Sequence, residues 1–299
     1  ETVRKQNEII AKQQEELILK HMGCSRWIYN YGLSRKIHHY QQVGKGLSKF
    51  DLKKDLPELK KNEETSWLKE VNSQTLQASL ENLDKAFTKF FKDKKGFPKF
   101  KSKKDNRQSF NIPQNTIIDF ESGKINLPKF KTDIKVKIDR VFDGTIKTST
   151  ISKTPTGKYF ISVLVESQQE LPKKKPLSEK QAIGIDLGVK TFATLSNGME
   201  IENPQHLKKS LKKLKKLQRK VSKKQKGSNN RLKSVKKLAI LHEKITNKRM
   251  DFLHKTSHYL VTNFDTLCLE TLKSGNMMKN HTLAQALSDI SISKFNEMI

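Results

Sequence analysis

Residues 183–198 read Ile-Gly-Ile-Asp-Leu-Gly-Val-Lys-Thr-Phe-Ala-Thr-Leu-Ser-Asn-Gly, and this pattern predicts a β-hairpin. Ile183, Ile185 and Leu187 are apolar, residues 191–195 are rich in β-branched and apolar side chains, and Asn197-Gly198 is a strong turn signal. Gly188 permits a tight turn or a close backbone approach. One carboxylate, Asp186, interrupts the first strand. A strand interior disfavours an acid, so Asp186 either faces water from an edge or holds a partner. A cation is the partner that the flanking glycines and the hairpin suit.

Around this stretch the chain is strongly basic. Its 299 residues carry 60 Lys+Arg against 31 Asp+Glu, a net charge of +29. That excess is far beyond what solubility needs, and it points to a polyanion, nucleic acid first among them. The length suits two or three domains. No run of about 18 apolar residues predicts a membrane span. No secretory segment opens the chain, which fits an intracellular protein with no membrane partner. The first residue is Glu1 rather than Met, and the start reads as clipped. Cys24 and Cys268 form no Cys-x-x-Cys pair, which leaves no zinc site of the four-Cys type in this chain.

Upstream of the hairpin, residues 4–42 read as one helix, with Ile10, Leu17, Cys24, Ile28 and Tyr31 at helical spacing, Arg26 and Asn30 as an exposed polar pair, and Gly44-Lys45-Gly46 as its break. A polar, basic segment with Pro57 as a breaker follows. A second helix is predicted over 66–92, with Leu76, Leu80, Leu83, Phe87 and Phe91 as its apolar stripe. In residues 90–110, lysines interleave with Phe97, Phe100 and Phe110. The cations there would neutralise phosphates, and the phenylalanines either stack bases or turn inward to anchor a loop. Over 112–166 the period changes to two, which predicts a small antiparallel β-barrel. The boundaries drawn are a helical region (1–105), the barrel (106–172), a linker (173–180) and a C-terminal domain (181–299).

Downstream, residues 208–249 hold 18 Lys/Arg and one acid, Glu243. Leu207, Leu211, Leu214, Leu217 and Val221 form a narrow seam, and Leu232, Val235, Leu238, Ile245 and Phe252 continue it beyond Gly227. This is a helical hairpin whose outer faces repel one another unless a nucleic-acid backbone lies along them. His254 and His258, at i and i+4, read as an ordinary helix surface ahead of a metal pair. Residues 266–270 form a short apolar strand, with Cys268 as a core residue and Glu270 at its end. A hairpin with an acid, then helices, then a strand ending in an acid is how an RNase H-like fold presents ligands for Mg²⁺ or Mn²⁺. Asp289 and Glu297 are the downstream carboxylates for a third position. Gly184-Ile-Asp-Leu-Gly188 also resembles the phosphate loop of actin/Hsp70-type kinases and ATPases, but the chain offers basic helices in place of the second loop and nucleoside pocket of that class.

Taken together, several stretches resemble the TnpB family of transposon-encoded RNA-guided DNA nucleases, relatives of type V CRISPR effectors. They are Gly-Cys-Ser-Arg-Trp-Ile-Tyr-Asn-Tyr-Gly-Leu (23–33), Glu-Thr-Ser-Trp-Leu (64–68), Gly-Phe-Pro-Lys-Phe-Lys (96–101), residues 183–198, Asn-Lys-Arg-Met-Asp-Phe-Leu-His (247–254) and Leu-Cys-Leu-Glu-Thr-Leu (267–272). The resemblance implies an α+β multidomain fold. A helical recognition domain with a small WED-like β-barrel would precede a RuvC/RNase H-like domain with a basic helical hairpin. It implies that Asp186 and Glu270 are catalytic acids and Mg²⁺ (or Mn²⁺) ligands. It implies as partners a guide RNA from the transposon end and double-stranded target DNA bearing a short adjacent motif. The matching motif-reading positions are Lys49, Lys53, Ser73, Gln74, Gln77 and Asn111. Backbone contacts are expected from Lys99, Lys101, Lys103, Lys104, Arg107, Lys208, Lys212, Lys216, Arg219, Lys223 and Arg231. In such a system the protein reads a short motif and shape while base pairing reads the sequence. The family's opening strand is not recognisable in residues 1–10. Its four-Cys ribbon and third acid are not read in the 299 residues, so an incomplete RuvC site is expected. The leading expectation is a DNA-binding protein that cleaves poorly. The alternatives are an endonuclease seen as a fragment or completed by a partner chain, and a nucleic-acid chaperone acting through charge alone.

Overall fold

The computed structural model describes residues 2–6, 12–105, 108–168, 170, 176–270, 272, 274–277, 279–280 and 284–299. They form two compact units, 1–170 and 171–299.

The first unit opens with a strand, β1 (Thr2–Gln6), where the helical spacing had predicted helix from residue 4. Its Thr-Val-Arg-Lys-Gln sequence is too polar to announce a half-buried strand. It is a sheet-edge strand, a place where charged residues are common. Helix α1 (Lys12–Val43) follows and stops at Gly44, whose φ of +70° is the left-handed cap. The next segment is a helix rather than a broken loop. In α2 (Lys49–Lys61), Ser48 and Asp51 form a reciprocal capping box, and Leu52 and Leu56 are buried. These anchors carry the helix through Pro57, at the cost of one backbone hydrogen bond. A 3-10 turn (Glu63–Glu70) separates α2 from α3 (Ser73–Lys92), which starts on the Asn72 cap. The single helix predicted from residue 66 is therefore two elements. Ile28, Leu33, Leu52, Leu68, Leu76, Leu80 and Leu83 make the core between these helices.

The second core of this unit lies between α1 and the strands β2 (Gln108–Ile112), β3 (Ile117–Asp119), β4 (Lys124–Asn126), β5 (Ile134–Lys135), β6 (Thr145–Lys153) and β7 (Tyr159–Glu166). They form an antiparallel sheet ordered β1-β7-β6-β2 and a separate three-stranded sheet ordered β3-β4-β5. The described strands thus make no closed barrel. β1 and β2 are the two edges of the larger sheet, and β3, β4 and β5 pair only with one another, so the sheets share a core without sharing a hydrogen-bonded seam. Arg26 and Asn30, expected in water, are engaged: Arg26 donates to Gln108 Oε1 at 2.8 Å, and Asn30 exchanges hydrogen bonds with the Lys101 backbone.

His21 joins the two cores. Its ring stacks on Phe110 and Phe130, with centroids 5.0 and 5.6 Å away. Nδ1 lies 2.8 Å from the Leu17 carbonyl, and Nε2 accepts the Asn72 N–H at 3.1 Å. That pattern requires one neutral tautomer, with the proton on Nδ1. Burial lowers the imidazole pKa from its usual 6.5. Because the folded value lies below the unfolded one, His21 costs the fold nothing above pH 6.5, and stability is lost as pH falls below it. Thermal melts of the chain between pH 7 and pH 5 should show the first unit weakening, with a shallower slope in His21→Gln. An identical slope in that variant would assign the acid sensitivity elsewhere.

The second unit is built on β8 (Ala182–Leu187), β9 (Thr191–Leu195) and β10 (Glu200–Glu202), an antiparallel meander. Two long helices follow, α4 (His206–Ser222) and α5 (Asn229–Asn263). The chain then returns through β11 (Thr266–Leu269), which pairs parallel with β8 and completes the order β10-β9-β8-β11. Three short helices end it, α6 (Ser274–Met277), α7 (Ala284–Ile290) and α8 (Ile292–Asn296). Ile183, Ile185, Leu187, Phe192 and Leu195 share one core with Leu253, Leu260, Leu287, Ile290 and Phe295.

Candidate acid site and nucleic-acid interface

Alternation along β8 decides where Asp186 points. Ile183, Ile185 and Leu187 enter the core, so Gly184 and Asp186 occupy the opposite face, where Asp186 is exposed. The hairpin predicted from residues 183–198 is present: Asp186 pairs with Thr194, and Gly198 takes a φ of +85° at the turn. Gly188 is needed for close approach, because a Cβ there would stand 2.8 Å from the Thr191 carbonyl oxygen. On the other side of β8, Cys268 pairs with Gly184 and Leu269 with Ile185. The ladder ends at that pair: Asp186 is the next residue of β8, and Glu270, also exposed, is the first residue after β11. Adjacent strands lie about 4.8 Å apart, and paired residues of a parallel ladder share a face. Asp186 is thus on the outward face of β8, and Glu270 directly follows the strand paired with it. Cys268, expected in the core, is exposed instead, since its register is that of the outward residues.

Among the described residues, no group of three or more His, Cys, Asp or Glu gathers to hold a metal. Asp289 is committed elsewhere. Its carboxylate, only 8% exposed, accepts the Leu207 N–H at 2.9 and 3.1 Å and the Lys208 N–H at 3.4 Å, and pairs with Arg249 Nη2 at 3.0 Å. It thus caps α4 from 82 residues downstream. His206 borders this knot in a small cavity that Phe192, Asn203, Phe252 and Asp289 also line. Burial lowers the His206 pKa against the opposing pull of Asp289. Glu297 pairs with Lys294 at 2.6 Å. His254 and His258 are exposed on α5.

Helices α4 and α5 pack as the predicted hairpin. Lys208, Lys212, Lys216, Arg219 and Lys223 are exposed along α4, and Arg231 is half-buried. The apolar seam is thinner than expected: Val221, Leu241 and Ile245 are buried, whereas Leu232 and Val235 face solvent. In the first unit, Lys99, Lys101, Lys103 and Lys104 are exposed, and Lys101 Nζ lies 4.1 Å from the Tyr29 ring centre. Arg107 lies outside the described residues. The phenylalanines of this segment do not all turn inward. Phe110 is buried, but Phe97 and Phe100 are exposed.

The six positions expected to read a DNA motif sit on three elements that pack together, α2, α3 and β2. Lys49 and Lys53 flank the Phe50 ring, and Lys53 also pairs with Glu81 at 2.7 Å. Ser73 and Gln77 are exposed on α3, with Ser73 accepting from Lys60 Nζ. Gln74 and Asn111 are internally bonded. Gln74 donates to Gln114 at 2.9 Å, while Asn111 accepts from Asn82 at 3.0 Å and donates to Thr150 at 2.9 Å.

With this geometry in place, similarity to known proteins becomes informative. A family described as a probable transposase matches residues 161–281, and one described as a helix-turn-helix domain matches residues 11–45. A Streptomyces pristinaespiralis protein provisionally named RNA-guided DNA endonuclease is 34% identical over 289 residues, covering 96% of this chain and 71% of that protein. The chain belongs to the TnpB family. The similarly named InsQ of Escherichia coli K12 is 35% identical over 268 residues, 90% of this chain and 65% of InsQ. TnpB-like protein L79 of Acanthamoeba polyphaga mimivirus is 27% identical over 168 residues, 51% of this chain and 32% of L79. This TnpB-family chain departs from the helix-turn-helix description in one respect. The matched residues are almost all one uninterrupted helix, α1, and the turn and α2 come after it. Among the described residues, no helix is long and apolar enough to cross a membrane.

Proposed function

We propose that this TnpB-family protein binds a guide RNA and, through it, double-stranded DNA bearing a short adjacent motif, with Asp186 and Glu270 as its divalent-cation ligands. The observation that supports the reading is the parallel pairing of β8 with β11: Asp186 lies in β8 and Glu270, 84 positions later in the sequence, directly follows β11, and both are exposed. Three antiparallel strands with a parallel fourth support the RuvC/RNase H-like assignment of this unit. The site fits a hard cation by its donor chemistry, since carboxylate oxygens suit Mg²⁺ or Mn²⁺. When bound, such an ion supplies charge neutralisation at the scissile phosphate and an activated water. Asp186 and Glu270 would hold it, and the open face would admit the backbone of the target strand.

We propose that this 299-residue chain, with Asp186 and Glu270 as its two acids, occupies target DNA and cleaves it poorly. The test is to purify it with its co-purifying RNA, sequence that RNA, and challenge matched and mismatched DNA with Mg²⁺. One defined RNA species, guide-dependent DNA retention and cleavage at least 100-fold below that of a three-acid homologue are expected. Asp186→Ala should leave DNA retention unchanged and abolish residual cutting. Robust double-strand breaks would overturn the poor-cleavage reading, and a random RNA pool would overturn RNA guidance in favour of binding by charge alone.

A further inference from the structure

The end of α3 and the loop behind it hold five phenylalanines that the acid site does not use, and four of them, all but Phe100, touch one another. Phe87 and Phe90 are half-buried. Phe97 meets both edge-on, at 5.5 and 5.3 Å, and Phe91 lies against them at 6.3 and 5.0 Å. Lys36 Nζ lies 5.1 Å from the Phe87 ring centre. The loop is turned back onto the helix at Lys94, a lysine with a φ of +49°, and the Lys95 N–H closes the turn on the Lys89 carbonyl at 3.2 Å. Two rings are left facing water on this interlocked base, Phe91 at 72% and Phe97 at 47% exposure. Residues 85–104 surround them with nine lysines and one acid, Asp93.

We infer that Phe91 and Phe97 form a stacking platform for unpaired bases of the resident guide RNA, with the surrounding lysines holding its phosphates. This rests on the RNA-guided reading above. Large rings in water are unfavourable, and a ring of cations would repel most apolar partners while attracting a polyanion. Duplex DNA is a poor occupant, because its base faces are already stacked inside the helix. Unpaired nucleotides offer those faces, and every base has one. Of the unpaired strands available to such a protein, the RNA is bound throughout its working life, whereas a displaced DNA strand exists only at a target. A surface that needs covering in the free complex fits the RNA.

The experiment uses the full chain with its co-purified RNA, mapped by nuclease footprinting and by crosslinking of photoreactive nucleotides. Phe91→Leu/Phe97→Leu keeps apolar volume and removes the aromatic faces, and Phe91→Ala/Phe97→Ala removes both. Each pair should lose protection and crosslinks over a stretch of about one to three nucleotides and weaken RNA binding roughly tenfold per ring. The rest of the footprint should persist, which shows a folded variant. An unchanged footprint and affinity in both pairs would overturn the platform while leaving RNA guidance intact. Crosslinks from these residues only to the displaced strand of a target would overturn the choice of RNA. Wild-type protein that carries no defined RNA would instead overturn the reading on which the platform rests.

Discussion

Asp289→Ala is expected to destabilise the unit of residues 171–299 by about 3 kcal/mol while leaving the first unit unchanged. The size follows from what the carboxylate holds. Helix α4 enters from Gln205, which takes a φ of +48° and supplies no side-chain cap. The first-turn N–H groups therefore depend on a carboxylate 82 residues away. A cap alone is worth about 1 kcal/mol. Asp289 also neutralises Arg249, whose side chain is 20% exposed and whose Nε has no other partner among the described residues. Removing one member of such a pair strands the other charge, and that penalty exceeds the worth of the pair itself. Chemical denaturation followed separately for each unit checks this. Asp289→Asn, which keeps an acceptor but loses the charge, should fall roughly midway. Arg249→Met in the Asp289→Ala background should recover part of the loss, because no cation is then left buried. A loss below about 0.5 kcal/mol in Asp289→Ala would mean that α4 does not depend on this cap.

That capping role was not legible in the sequence. Residues 183–198 announced their hairpin because strand alternation, the Asn197-Gly198 turn and a misplaced acid are all local signals, and the structure keeps each of them. Asp289 carries no local signal, since its partners lie far from it along the chain, and as a sequence feature it is only an acid near the end. Cys268 was misread because a cysteine between two leucines looks like core, whereas strand register makes it the outward residue between two inward ones. The stripe on α3 was right for Leu76, Leu80 and Leu83 and wrong for Phe91. Helical periodicity continues to the last turn, but the loop that folds back there sets Phe97 against Phe87 and Phe90 and leaves Phe91 exposed. Leu232 and Val235, in the first two turns of α5, are likewise exposed although they lie on the apolar seam. Pattern gives the face a residue shares. Tertiary coverage decides whether that face is buried.

Replacing Lys208, Lys212, Lys216, Arg219 and Lys223 together with glutamine is expected to weaken nucleic-acid binding by 100- to 1,000-fold at about 150 mM salt. The five follow one another at three- and four-residue steps, so they form one stripe along α4, and all are exposed. At 1.5 Å per residue the stripe runs about 22 Å, a length over which duplex DNA presents about 13 phosphate charges. Each phosphate contact contributes roughly 0.7 to 0.9 to the slope of log affinity against log salt, so removing five should flatten it by about 4. Motif preference and guide dependence should survive, because backbone contacts carry no sequence information. The stability of the free protein should move the other way. Lys208 with Lys212, Lys212 with Lys216, and Arg219 with Lys223 are like charges one turn apart, and neutralising them relieves their repulsion. A stripe that merely faces solvent would show the gain in stability without the loss of binding. A stripe built for a polyanion shows both, and an unchanged salt slope in the five-fold variant would move the interface off this helix.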